Sequence, residues 1–248
     1  RSKEAFFEQC DVITLHLPPL RDRREDVLLL VESFLQRLAA DHSAEPKALS
    51  SESLDAVMVL AHGANNNMDY PLLAALHERL ARHGLVTVRF NFPYAQEGRK
   101  KPDADAALEG VFRLVVEYLG EQEEFKGLEM FLGGKSMGAR LAAQIVAQDV
   151  GASGLVFLGY PLHAPGKPEQ LRDQPLYALP CPALFIEGAR DPFCRLDRLG
   201  EVLAKMPVRA DLHIIPGAGH SYETGAGSMA PEIVPEITRV ILGWLDSL

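Results

Sequence analysis

Short apolar runs recur along the chain from residue 54 onward, separated by longer stretches in which apolar and polar residues mix. Six runs are rich in valine, leucine, isoleucine and phenylalanine, and they span residues 57–61, 85–90, 128–132, 155–158, 183–186 and 212–215. Continuous apolar runs of this length are typical of parallel strands that are buried on both faces. The pattern therefore predicts six strands of a mostly parallel sheet.

The stretches between these runs have apolar residues at helical spacing. The predicted helices cover residues 70–83, 104–119, 137–148, 195–205 and 231–245. Gly84, Gly120 and Gly151 follow three of them, at positions where glycine commonly ends a helix. Alternating strands and helices imply right-handed crossover connections. We therefore predict an α/β fold, with a mostly parallel, doubly wound sheet and helices on both faces.

The first 53 residues have a different pattern. One strand is predicted at residues 12–17, and apolar residues at helical spacing predict an amphipathic helix over residues 27–39. A polar linker follows it. We divide the chain into an N-terminal add-on segment, residues 1–53, and a larger domain, residues 54–248. The apolar stripe of the predicted helix needs burial, so we expect the segment to pack on the larger domain, and the alternative is a detached or disordered appendage.

Composition narrows the class of protein. The 248 residues are 47% hydrophobic, enough for a sizeable core, and the net charge of −9 argues against a broad nucleic-acid surface. No apolar run approaches the ~18 residues of a membrane span. The three cysteines are an odd number without metal-ligand spacing, which suits a reducing compartment. We expect a cytoplasmic protein that binds neither membranes nor nucleic acids.

The sequence Gly134-Lys135-Ser136-Met137-Gly138 matches G-x-S-x-G and falls between a predicted strand and a predicted helix. That context is typical of a nucleophile elbow, a strained turn that lifts a serine hydroxyl above the sheet. The two glycines leave room for neighbouring backbone. A phosphate-binding P-loop would need glycine at position 129, where Glu129 stands, so we exclude it.

A serine nucleophile needs a base, and the base needs an orienting acid, in the chain order serine, acid, histidine for this type of turn. Asp191 follows the fifth predicted strand and His220 follows the sixth. The carboxyl ends of parallel strands share one edge of a sheet, so we predict Ser136, Asp191 and His220 as a catalytic triad. Glu187 and Asp197 are the alternatives for the acid.

Further site residues are predicted at the same carboxyl edge of the sheet. Backbone N–H groups of Met137, which follows the nucleophile, and of Ala64, in the loop after the first strand, are expected to form an oxyanion hole. Asn65 is the second choice for the loop donor, and His62 is expected to hold that loop. The residues expected to line the substrate pocket are Tyr94, Tyr160, Leu162, His163 and Phe193. No H-E-x-x-H motif or Cys/His cluster occurs, so neither a metal nor a cofactor is expected.

These motifs together resemble bacterial α/β-hydrolases related to the KANL3/Tex30 hydrolase-like domain, in the dienelactone-hydrolase-like group. The resemblance covers residues 54–248 and rests on LAHGA at 60–64, MD at 68–69, FNFPY at 90–94, GGKSMG at 133–138, LGYPLH at 158–163, PGKPE at 165–169, GARDPF at 188–193 and GHS at 219–221. It implies the α/β-hydrolase fold and carries the triad onto Ser136, Asp191 and His220. The chain departs from the family pattern where three asparagines, residues 65–67, replace a Gly-rich loop, and at Ala139, where a third glycine is usual.

The N-terminal segment resembles other proteins. Residues 13–38 are similar to the end of the ATPase domain of sigma-54-dependent transcription activators, and residues 2–18 to a strand region of D-2-hydroxyacid dehydrogenases. The chain contains neither a P-loop nor a dinucleotide-binding glycine motif, so no chemistry is expected from this segment.

The expected function is that of a serine hydrolase that cleaves an ester or a related acyl bond of a small molecule. The alternative is a non-catalytic, hydrolase-like domain for protein interaction, which the altered loop at residues 65–67 keeps open.

Overall fold

The computed structural model describes residues 56–224 and 227–248. The strand, the helix and the packing predicted for the N-terminal segment lie outside the described residues, and so does its boundary with the larger domain.

Six parallel strands form one sheet, and each begins within two residues of a predicted apolar run. The strands are β1 (Ala56–Ala61), β2 (Val86–Phe90), β3 (Glu129–Lys135), β4 (Gly154–Leu158), β5 (Ala183–Gly188) and β6 (Ala210–Ile215). Their order across the sheet is β2-β1-β3-β4-β5-β6, and every neighbouring pair is parallel. The predicted α/β class and doubly wound parallel sheet are confirmed.

Helices cover both faces of this sheet. Those within the described residues are α1 (Pro71–Arg82), α2 (Pro93–Gln96), α3 (Asp105–Glu121), α4 (Met137–Gln148), α5 (Leu196–Leu203) and α6 (Ile233–Leu245). Helices α1 and α6 pack together on one face, and α3, α4 and α5 share the core of the other face. Across residues 56–224 and 227–248, no helix is long and apolar enough to cross a membrane.

The interior strand β1, second from one edge of the sheet, shows why the apolar runs are continuous. Its residues are all buried, with Val59 and Ala61 in the core on one face and Met58 and Leu60 in the core on the other. Burying one such aliphatic side chain contributes roughly 1.5–3 kcal/mol. Packing of side chains on both faces therefore fixes the position of β1, including its carboxyl end beside β3.

Strand β3 runs three residues farther than the apolar run predicted. Gly133 and Gly134, which follow that run, pair with Val156 of β4 and with Ala61 of β1. A Cβ on Gly133 would overlap the Val156 backbone, so a glycine here permits close pairing of the strands. The sheet thus continues to the residue before Ser136.

The strand order reverses direction between β1 and β3, because β2 lies on one side of β1 and the later strands on the other. In open parallel sheets, ligands bind outside the carboxyl ends of the strands at such a point. Ser136 follows β3 directly and lies at this position.

Candidate active site

Ser136 alone makes the turn between strand and helix, because β3 ends at Lys135 and α4 begins at Met137. Its φ of 53° and ψ of −111° lie outside the regions that non-glycine residues ordinarily adopt. The Ser136 N–H donates to the Leu158 carbonyl at 3.0 Å, and the Ser136 carbonyl accepts from the Arg140 N–H at 3.1 Å. These two hydrogen bonds hold the strained turn at the carboxyl end of β3.

The glycines of the motif are explained by the neighbouring strand. A Cβ on Gly134 or on Gly138 would overlap the carbonyl oxygen of Ala61 in β1. Any side chain at these two positions would push the turn away from β1, so both must be glycine for the elbow to sit on the sheet.

Side chains from the carboxyl ends of β3, β5 and β6 meet at this turn. His220 Nε2 lies 2.8 Å from Ser136 Oγ, and His220 Nδ1 lies 2.6 Å from Asp191 Oδ2. Because an ionised carboxylate only accepts hydrogen bonds, the imidazole proton lies on Nδ1, and the Nε2 lone pair faces the serine hydroxyl. The hydroxyl can therefore donate its proton to Nε2.

The acid and the base are both held in place. The Asp191 side chain is fully buried and that of His220 is 16% exposed. Asp191 Oδ1 accepts the Phe193 N–H at 2.7 Å, and the centroid of the Phe193 ring lies 4.3 Å from that of the His220 ring. The carboxylate therefore has two donors, and the imidazole packs against an aromatic ring on one face.

The two alternative acids are engaged elsewhere. Asp197 lies in the first turn of α5 and pairs with Arg195 through both carboxylate oxygens, at 3.0 and 2.5 Å. Glu187 Oε1 accepts the Tyr160 N–H at 2.6 Å. Of the three carboxylates, Asp191 is the one that bonds to His220. Among the described residues, no group of three or more His, Cys, Asp or Glu side chains could hold a metal ion.

The loop after β1 passes directly beside the nucleophile. A Cβ on Gly63 would lie 3.6 Å from Ser136 Cβ and 3.3 Å from the Lys135 carbonyl oxygen. Asn65 adopts a left-handed φ of 59°, which asparagine tolerates better than most residues. The loop donor of the oxyanion hole, with Ala64 as the first choice and Asn65 as the second, stays a prediction.

His62 and Tyr94 support this loop from behind. His62 Nδ1 lies 2.9 Å from the Gly63 carbonyl oxygen, and His62 Nε2 accepts the Phe92 N–H at 3.1 Å. Burial lowers the pKa of His62, so the imidazole is neutral and holds its proton on Nδ1. The Tyr94 hydroxyl donates to the Gly63 carbonyl at 3.2 Å. These contacts fit the loop-holding role predicted for His62.

Most of the predicted pocket residues lie beneath the surface. The side chains with exposures of 0–2% are Tyr94, Tyr160, Leu162 and His163. Phe193 is partly exposed and packs against His220. The structure thus places one of the five residues at the surface beside the triad, and contact with substrate stays a prediction for all of them.

Polar atoms of two of these residues hold the loop that follows β4. The Tyr160 hydroxyl donates to the Arg172 carbonyl at 2.9 Å. His163 Nδ1 lies 2.9 Å from the Ala164 carbonyl oxygen, and His163 Nε2 accepts the Arg195 N–H at 3.0 Å. Sequence position alone did not separate such structural contacts from pocket lining, because both occur at strand ends.

Lys135 lies beside the nucleophile, and no role was predicted for its side chain. It is 2% exposed, and burial lowers its pKa to about 8, an effect that the carboxylates of Asp191, Glu187 and Glu223 partly oppose. Glu187 is fully buried, and burial together with the Asp191 carboxylate raises the pKa of Glu187 well above its usual value. A lysine at the end of an apolar strand was the available signal for this buried group.

Curated relatives match a short part of the chain. The alginate biosynthesis transcriptional regulatory protein AlgB of Pseudomonas putida is 41% identical over 58 residues, which cover 23% of this chain and 13% of that protein. The DNA-binding transcriptional regulator NtrC of Salmonella typhimurium is 43% identical over 63 residues, covering 25% and 13%. The matches span about an eighth of the length of these relatives, and they confirm the resemblance to activator fragments.

Solved structures match most of the chain. The dienelactone hydrolase of Anabaena variabilis is 18% identical with a TM-score of 0.64, covering 80% of this chain and 88% of that one. Est1E of Butyrivibrio proteoclasticus with bound ferulic acid is 16% identical with a TM-score of 0.63, covering 82% and 92%. A monoacylglycerol lipase of Paleococcus ferrophilus is 17% identical with a TM-score of 0.61, covering 79% and 95%. These structures share the fold.

The family model described as an alpha/beta hydrolase domain matches residues 54–234. That range includes β1 to β6 and all three of the side chains that meet at the elbow. The chain belongs to the α/β-hydrolase family.

Proposed function

We propose that this protein is a serine hydrolase that cleaves a carboxylic ester or a related acyl bond of a small molecule. The observation that carries the proposal is the continuous line of hydrogen bonds from Asp191 through His220 to Ser136. A serine hydroxyl is a weak nucleophile at neutral pH, and an adjacent base oriented by an acid is the arrangement that activates it.

In the first half of the proposed reaction, Ser136 Oγ attacks the carbonyl carbon of the substrate while His220 Nε2 takes the hydroxyl proton. The imidazolium that forms is stabilised by Asp191, which lies 2.6 Å from Nδ1. Collapse of the tetrahedral intermediate breaks the bond to the leaving alcohol, which receives the proton from Nε2. The acyl group remains on Ser136.

In the second half, a water molecule attacks the acyl carbon and gives its proton to His220 Nε2. Collapse breaks the bond to Ser136 Oγ, which regains a proton from the imidazolium, and the carboxylic acid leaves. The cycle consumes one water and one ester, and no cofactor is required.

The negative charge of each tetrahedral intermediate needs two N–H donors. We assign them to Met137, in the first turn of α4, and to Ala64, in the loop that packs beside Ser136. The free N–H groups at the start of α4 and the helix dipole both favour an anion at this position. Loss of one such donor lowers turnover by about 10²–10³ in comparable sites.

The comparisons support an ester as the first substrate class to test. Two of the similar structures are named as a dienelactone hydrolase and a monoacylglycerol lipase, and a third holds ferulic acid. The names of the first two denote cleavage of ester bonds, which agrees with the triad geometry of this chain.

The proposal is tested by labelling with a fluorophosphonate probe and by hydrolysis of p-nitrophenyl acetate. The wild type should react with the probe, and Ser136→Ala should lose labelling and lose turnover by about 10⁴–10⁶. Ser153→Ala is the matched control, because Ser153 directly precedes β4 and so lies at the amino ends of the strands, away from Ser136. A wild type that neither reacts nor hydrolyses would favour the interaction domain instead.

A further inference from the structure

Three consecutive asparagines, residues 65–67, lie in the loop beside the nucleophile, and the proposed reaction uses none of their side chains. Two of them have a structural explanation. Asn65 takes the left-handed φ of 59° in the turn, and Asn67 Oδ1 accepts the backbone N–H two residues farther along at 3.0 Å. Asn66 is partly exposed, and its side-chain amide makes no hydrogen bond within the described part of the chain. Contacts inside the protein therefore do not account for this amide.

A tight turn brings Asn66 back toward the nucleophile. The Asn66 N–H donates to the Gly63 carbonyl at 3.4 Å, which closes a four-residue turn with Asn65 at the third position, where tight turns often need a positive φ. A Cβ on Gly63 would lie 3.6 Å from Asn66 Nδ2 and 3.6 Å from Ser136 Cβ. The amide and the nucleophile thus border the same space, which the missing side chain of Gly63 leaves open. They are close enough for one substrate carbonyl group to contact both.

Contacts behind the loop orient the peptide between Gly63 and Ala64. The Gly63 carbonyl accepts from the Tyr94 hydroxyl at 3.2 Å and lies 2.9 Å from His62 Nδ1. In a trans peptide the N–H points opposite to the carbonyl, so the Ala64 N–H points away from these two buried side chains. This is the orientation that the proposed donor role of Ala64 needs. The Asn66 amide lies in the same short loop.

The chain is also anchored beyond Asn66. The Met68 N–H donates to Asn91 Oδ1 at 2.7 Å, and the Met68 carbonyl accepts from the Arg89 guanidinium. Arg89 lies in β2, so these contacts tie the loop to the neighbouring strand. The loop is therefore held on both sides of Asn66. Donors that are in place before the reaction stabilise a developing charge better than donors that must first reorient.

We propose that Asn66 is a catalytic residue whose side-chain amide donates a third hydrogen bond to the substrate carbonyl oxygen, beside the N–H groups of Ala64 and Met137. The inference rests on the proposed hydrolase function and deepens it. No bond to Asn66 forms or breaks. As Ser136 Oγ attacks, the carbonyl π electrons move onto the oxygen, and the hydrogen bond from Nδ2 strengthens with that charge. A primary amide has two N–H donors and carries no charge of its own, which suits it to this position.

The test compares kcat and KM for p-nitrophenyl acetate in the wild type, Asn66→Leu and Asn66→Asp. Leucine is similar in size and has no donor, so kcat should fall by about 10²–10³. KM should change little, because the hydrogen bond is strongest in the transition state. Aspartate has the same shape and places a negative charge beside the oxyanion, so its loss of kcat should be at least as large.

Asn67→Asp is the matched control. It introduces the same charge one residue farther along and keeps the oxygen that accepts the Asp69 N–H. Its kcat should match the wild type. The melting temperature of Asn66→Leu should match the wild type as well, because the Asn66 amide makes no hydrogen bond within residues 56–224 and 227–248.

A transition-state analogue separates this role from a structural one. Trifluoroacetophenone forms a tetrahedral adduct with a nucleophilic serine, and the oxyanion of the adduct occupies the position of the substrate oxyanion. Its inhibition constant should rise in Asn66→Leu by the same factor by which kcat/KM falls. A residue that only shapes the loop would lower the melting temperature and would not produce this proportionality.

Two results would overturn the proposal. One is an unchanged kcat in the Asn66 variants, and the other is a raised KM with unchanged kcat, which would show that the amide binds the ground state and the transition state equally. Asn66→Asp decides the question if Asn66→Leu does not fold.

The outcomes also distinguish this inference from the proposed function. If Ser136→Ala loses fluorophosphonate labelling and the Asn66 variants turn over like the wild type, only the role of Asn66 is wrong. If the probe labels Ser136→Ala as strongly as the wild type, the proposed function itself is wrong.

Discussion

The loops after β4 and β6 each hold a histidine near the carboxyl edge of the sheet, and the two histidines differ in what surrounds them. His163, after β4, is 2% exposed, and its ring nitrogens contact the backbone of Ala164 and Arg195. His220, after β6, has a 16% exposed side chain, and its nitrogens contact the side chains of Ser136 and Asp191.

The difference shows that the partners of an imidazole determine what it can do. Backbone groups fix both nitrogens of His163, so this ring holds the loop after β4 to the start of α5 and has no atom left for proton transfer. His220 has a carboxylate on one nitrogen and a hydroxyl on the other, the arrangement needed for a general base. His62, after β1, belongs with His163, because its nitrogens contact the backbone of Gly63 and Phe92.

The largest effect is expected at His220. His220→Gln should lower kcat/KM for p-nitrophenyl acetate by about 10⁴–10⁶, because His220 Nε2 is the base that lies 2.8 Å from Ser136 Oγ. His213→Gln is the control, since His213 lies in β6 and pairs with Glu236 at 2.7 Å, away from the elbow. Equal losses of activity in both variants would contradict the assignment of His220 as the general base.

The second largest loss of activity is expected when Asp191 is replaced. Asp191→Asn should cost about 10⁴ in turnover, because an amide cannot hold the proton of His220 on Nδ1 as a carboxylate does. Asp197→Asn should change turnover little, because Asp197 pairs with Arg195 in the first turn of α5. The reverse result would identify Asp197 as the acid and would show that the prediction of Asp191 is wrong.

At His163 we expect a loss of stability with little loss of chemistry. His163→Leu leaves the Arg195 N–H without its acceptor, which should lower the free energy of unfolding by about 1–3 kcal/mol. Urea unfolding measures this change. His83→Leu is the control, since His83 is exposed at the end of α1. A loss of activity comparable to that of His220→Gln would show that His163 takes part in catalysis.

The smallest effect concerns the pH dependence of stability at His62. Burial lowers the folded-state pKa of His62 below its usual value of 6.5, so the unfolded chain binds a proton there more readily than the folded protein. Stability from this residue is complete above pH 6.5 and is lost as pH falls below it. His62→Gln should therefore show a weaker decline in unfolding free energy between about pH 7.5 and pH 5. An identical decline in both proteins would contradict this assignment.

The sequence by itself determined the layout of the domain. Apolar runs buried on both faces identified the six strands of the described sheet to within a few residues, because this burial leaves a local pattern in the chain. Ser136, Asp191 and His220 could then be predicted as the triad, because each follows the end of a strand and they occur in the expected chain order. Parallel strands bring their carboxyl ends to one edge of the sheet, and this does not depend on the conformation of the loops. The structure brings these three side chains within hydrogen-bond distance.

Only the tertiary structure decided how the remaining side chains divide their roles. Ser136 and His220 are 84 residues apart, and the loops between them can direct a side chain inward or outward without any change in the local pattern. Tyr160 and His163 face backbone groups under the surface, whereas Phe193 packs on the base. Lys135 and Glu187 are both buried because segments distant in sequence enclose them, and the position of Lys135 at the end of an apolar strand was the local sign of this burial.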